Sequence, residues 1–68
     1  MNDEAFNMSI RKFLKTVGVN SQLSVEKAVR KAVAEGKLKG NETVPAAMTL
    51  TVGKLNLEVK FDGEIKLE

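Results

Sequence analysis

The stretch GKLKGNETVPAAMTLTV, residues 36–52, is where the apolar period of this chain changes. Before Gly40 apolar residues recur at helical spacing. From Met48 onward they occupy every second position, with Thr49 and Thr51 between Met48, Leu50 and Val52. Pro45 restricts Val44 to extended backbone, so the turn-like Lys39-Gly40-Asn41-Glu42 reads as the border between a helical half and a strand half.

Upstream of that border, Phe6, Ile10, Phe13, Leu14 and Val17 fall at i, i+4, i+7, i+8 and i+11. This places them on one stripe of a helix expected over about 3–17. Asn2 or Asp3 can cap its first free amides, and Asp3 and Glu4 suit the positive end of the helix dipole. Gly18 reads as the stop, with Val19 packing back on Leu14. Val25, Ala28, Val29, Ala32 and Val33 repeat the pattern, which predicts a second helix over about 21–35, capped by Asn20 or Ser21 and closed by Gly36.

Downstream, a two-residue loop at Gly53-Lys54 would set Val52 against Leu55, Leu50 against Leu57, Met48 against Val59 and Ala46 against Phe61. A second turn at Phe61-Asp62-Gly63 would pair Lys60 with Glu64, Val59 with Ile65 and Glu58 with Lys66. Strands are therefore expected over about 46–52, 55–60 and 64–68. The predicted fold is a single α+β domain over 1–68, with two N-terminal helices packed on one face of a three-stranded antiparallel β-meander, order ααβββ, in two layers.

Composition narrows function more than it names one. The 68 residues contain no His, Cys, Trp or Tyr. Thiolate and imidazole metal sites, disulfides and the commonest acid–base and nucleophilic catalysts are thereby excluded, and neither enzyme activity nor a cofactor or metal is expected. Ser9, Ser21 and Ser24 have no histidine to activate them. No apolar run approaches the roughly 18 residues a membrane span needs, and the acidic Met1-Asn2-Asp3-Glu4 is unlike a secretory signal, so a cytoplasmic location without a membrane partner is expected.

Two surface features remain. Lys27, Arg30 and Lys31 lie off the apolar stripe and Lys37 and Lys39 follow, giving residues 23–40 a net charge of +3 against −2 for residues 41–68. A basic helix after a short turn superficially resembles a helix-turn-helix with a wing, and these five residues would contact nucleic acid or an acidic partner. Lysines late in a helix also simply complement its dipole, and Glu26 can pair with Arg30. Met8 stands outside the stripe among Arg11, Lys12 and Lys15, where an exposed thioether inside a basic ring could seat another protein. A protein-interaction module, meeting another chain or a second copy, is the leading expectation, and a weak nucleic-acid binder is the alternative.

The segments MNDEAFNMSIRKFLK, VGVNSQ, EKAVRKAV and EGKLKGNETVPAAM, with the closing GEIKLE, resemble a family of short bacterial conserved proteins of unknown function. The likeness spans nearly the whole chain. It implies a bacterial cytosolic protein and brings no catalytic or binding residue with it.

Overall fold

The computed structural model describes residues 1–68 and has the order αββ: a helix α1 (Asp3–Ala34), a strand β1 (Thr43–Val52), a single 3-10 turn (Gly53–Leu55) and a strand β2 (Leu57–Lys66). It is α+β, but not the expected ααβββ. The chain divides into two units, Met1–Lys37 and Leu38–Glu68, each described by itself.

The two expected helices are one helix of 32 residues. Gly18 lies inside it with helical, not left-handed, backbone. A glycine in a helix interior costs only about 1 kcal/mol relative to alanine, and stopping there would forfeit further hydrogen bonds and require a second costly nucleation. The candidate cap Asn20 is used otherwise, its side-chain amide donating to the Thr16 carbonyl at 2.9 Å, while the Thr16 hydroxyl donates to the Lys12 carbonyl at 3.0 Å. Val19 therefore does not fold back on Leu14. At 100° per residue it projects from nearly the opposite side of the helix.

Both helix ends follow the local signals. Asn2 is the N-cap, its Oδ1 accepting from the Ala5 amide at 3.0 Å, and Asp3 and Glu4 fill the first turn. At the other end Gly36 takes φ +77°, with its amide donating to the Val33 carbonyl and that of Lys37 to the Ala32 carbonyl. This double bond around a left-handed glycine satisfies carbonyls the helix would leave free.

β1 and β2 form a two-stranded antiparallel sheet. Val52 faces Leu57, Leu50 faces Val59, Met48 faces Phe61, Ala46 faces Gly63 and Val44 faces Ile65. The connection is thus four residues, Gly53 to Asn56, rather than two, because Asn56 accepts the left-handed conformation (φ 51°, ψ 36°) and its amide closes on the Gly53 carbonyl. Asparagine tolerates that region better than most residues. Relative to the expected pairing the register moves by two residues, which preserves the side-chain parity. The apolar set keeps its own face, and Thr43, Pro45, Ala47, Thr49 and Thr51 share the other with Lys66, Glu64, Asp62, Lys60 and Glu58.

The three-stranded meander is also overturned. Asp62 and Gly63 do not turn; they run extended opposite Ala47 and Ala46, so β2 continues for ten residues to match the ten of β1. Continuation gives the backbone of residues 63–66 the partners Thr43 to Ala46, which a turn at residue 62 would have left unpaired. Lys60 and Glu64, expected to face one another, stand four residues apart on the same strand. Lys60 lies instead opposite Thr49 and makes a 3.6 Å ion pair with Asp62 on its own strand. The Leu67 amide extends the ladder to the Glu42 carbonyl at 3.0 Å. By antiparallel alternation from that bonded pair, Pro45 occupies a non-hydrogen-bonded position, where its missing N–H faces outward.

Candidate functional site: the helix surface and the Glu42 turn

Each stripe of α1 now runs the length of one helix. Val17, Ser21, Val25, Val29 and Ala32 are its half-buried residues, and they continue the row begun by Phe6, Ile10 and Phe13. Phe6 and Phe13 are 48 % and 53 % exposed. No residue of the chain is buried, so the apolar stripe and the apolar face of the hairpin are lined by side chains that water still reaches.

The cationic residues singled out in the sequence are brought onto the same element only in part. Arg11, Lys12, Lys15, Lys27, Arg30 and Lys31 are exposed residues of α1, whereas Lys37 and Lys39 lie beyond its end. Five helical turns separate Lys12 from Arg30, so the two occupy the same angular position, whereas Arg11 and Lys31 lie about 160° apart and the six cations spread over a broad side of the helix. Lys37 is ion-paired with Glu35 at 3.4 Å. Glu26 does not pair with Arg30; its Oε1 accepts from the Gln22 side-chain amide at 3.0 Å.

Met8 is 65 % exposed, as expected for a residue off the main stripe. It is not alone there. Val19 and Leu23, 52 % and 57 % exposed, lie at i+11 and i+15 from Met8 and make a second, thinner apolar row on the basic side. That row was invisible while a helix break was expected at Gly18, since the spacing has meaning only on one continuous helix. Beside it, a shallow depression of about 410 Å³ is lined by Asn20, Leu23, Ser24, Glu26, Lys27 and Arg30, all of the same helix. An open depression along one helix surface excludes little water and offers no converging set of groups for catalysis. The Ser9 hydroxyl donates to the Phe6 carbonyl at 2.8 Å, an arrangement that ties it to its own helix.

The most organised polar cluster is the turn before β1, which sequence reasoning treated only as a border. The Glu42 carboxylate accepts from the backbone amides of Lys39, Gly40 and Asn41, with Oε1 at 3.0, 2.9 and 3.2 Å and Oε2 at 2.9 Å from Lys39. Gly40 supplies the geometry at φ +100°. Hydrogen bonding by these amides, that of Lys39 foremost, holds the Glu42 carboxyl below the usual carboxylate range. A ring of amides of this kind is an anion-binding concavity, and here the chain's own carboxylate fills it. The visible signal was a glutamate two residues after a glycine in a turn.

No three acidic side chains gather as a metal site, and no helix is long and apolar enough to cross a membrane. The model of a family of unknown function, DUF6494, matches residues 1–68. The chain belongs to that family. No curated protein and no solved structure matches this DUF6494 chain. Family membership therefore brings no site residues, and the surface of α1, the hairpin face and the Glu42 turn stand on their own chemistry.

Proposed function

We propose that this DUF6494 chain is a small non-enzymatic protein-interaction module whose apolar helix stripe and hairpin face are completed by another polypeptide. One observation carries the reading: an ordinary content of apolar residues, 43 %, accompanies the absence of any buried residue. An isolated amphipathic helix and an isolated two-stranded hairpin are each marginal in water, because most of their stability comes from covering the apolar face. A partner chain supplies that cover. The absence of His and Cys, together with the open form of the α1 depression, supports a binding role over a catalytic one. A cytoplasmic setting belongs to the same proposal, since the chain has none of the disulfides that staple small domains outside the cell.

Loss of the helix-turn-helix geometry leaves the nucleic-acid alternative resting on Lys27, Arg30, Lys31, Lys37 and Lys39 as charges alone. Amide hydrogen exchange of the dilute monomer tests the module reading. Rapid exchange throughout α1 and the hairpin, slowed when a partner or a second copy binds, is the expected result. A monomer whose amides exchange slowly in both units, with no partner present, overturns it.

A further inference from the structure

We propose that α1 pairs with α1 of a second copy, antiparallel and centred on Val19. This rests on the module reading and names its partner. Reflection of the stripe through position 19 superimposes it on itself: Phe6 meets Ala32, Ile10 meets Ala28 and Phe13 meets Val25 of the second copy. Leu14 likewise meets Ser24, and Val17 meets Ser21.

The even spacing is common to any amphipathic helix, but the sizes are not. The first half of the stripe carries two phenylalanines, an isoleucine, a leucine and Val17. The second half carries serines, alanines and the valines Val25, Val29 and Val33, and no aromatic residue, leucine or isoleucine. Antiparallel pairing sets Phe6 and Ile10 against alanines and Leu14 and Val17 against serines, with Phe13 against the mid-sized Val25, so that two straight helices can lie close along a seam roughly 40 Å long. Parallel pairing would set Phe6 on Phe6 and Phe13 on Phe13 while leaving Ala28 and Ala32 facing gaps, and both crowding and voids cost stability.

Charge selects the same direction. The first ten residues carry Asp3 and Glu4 and no basic side chain, whereas Lys27, Arg30, Lys31 and Lys37 outnumber Glu35 at the far end. Antiparallel pairing brings Glu4 of one copy within about one helical turn of Lys31 of the other, although Asp3 stands level with Glu35, and it opposes the two helix dipoles. Parallel pairing would align both unfavourably.

The chain has no cysteine, so one spin label can be placed cleanly on the full-length protein. Ala34→Cys is exposed and lies off the stripe. Expected are a dimer mass by light scattering and a label-to-label distance of about 45 Å, from the 1.5 Å rise over twice the span from position 19 to position 34. Ala28→Lys, which places a charge against Ile10, should weaken the dimer at least tenfold while the monomer keeps its own hydrogen bonds. Labels within about 20 Å of one another, the parallel arrangement, overturn the proposal. So does a monomer at all concentrations. In that last case rapid exchange in α1 leaves the module reading standing with a different partner, and slow exchange in both units removes both.

Discussion

Glu42 holds the amide of Lys39 with both oxygens of its carboxylate, at 3.0 and 2.9 Å, and so ties the turn that enters β1 to the first residue pair of the ladder. The same residue serves twice, since its own carbonyl receives the Leu67 amide.

A pH dependence follows from that carboxylate. Its folded pKa lies below the ordinary value, so its contribution is present in full above the unfolded carboxylate pKa and is lost as pH falls through the folded one. The Gly40 and Lys39 amide resonances should hold steady from neutral pH down to the ordinary carboxylate range and move only below it. Glu42→Gln should remove this acid transition and speed exchange of the same amides, read by NMR. Retention of the transition in that variant would assign it to another group.

Glycines 18 and 36 should respond in opposite directions to alanine. At Gly18 a Cβ meets nothing within 4 Å and the backbone is helical, so Gly18→Ala should raise helix stability by about 1 kcal/mol. At Gly36 the space is equally open but φ is +77°, and Gly36→Ala should cost about 1–2 kcal/mol. Circular dichroism melts of the two variants check this; a loss at Gly18 would indicate a turn there.

The hairpin register predicts a gain from one added charge. Thr49 lies directly across from Lys60, so Thr49→Glu should stabilise the hairpin by roughly 0.5 kcal/mol, an effect that salt reduces. A meander pairing Lys60 with Glu64 predicts no such gain. Thermal unfolding at low and high salt distinguishes the two.

Asn56 is the sole non-glycine residue with positive φ. Asn56→Gly should be tolerated within a few tenths of a kcal/mol, and Asn56→Val should cost about 1–2 kcal/mol because a β-branched side chain is crowded at φ 51°. Loss of the cross-strand amide contacts between Val52 and Leu57 in NMR spectra would report the opened loop.

Several features were legible in the residues because they depend on neighbours a few positions away. The Asn2 cap, the Gly36 termination, the apolar stripe and the alternation from Met48 onward all rest on single side chains or on a period within one element. Gly18 and Asp62-Gly63 misled for one shared reason. Glycine permits a turn without requiring one, and at each site the extended alternative kept more backbone groups bonded: further helical turns beyond Gly18, and partners in Thr43 to Ala46 beyond Asp62. The second apolar row of Met8, Val19 and Leu23 stayed hidden behind the first of these readings.

By itself, then, the amino-acid order determined that the first half is helical and the second half extended, and which face of each is apolar, because hydrophobic period and parity are local and survive a register shift of two. Only the tertiary structure decided how many elements these segments make and how the strands align. Those outcomes depend on the total of backbone hydrogen bonds formed across the sheet and along the helix, a sum over residues far apart that no single turn signal contains.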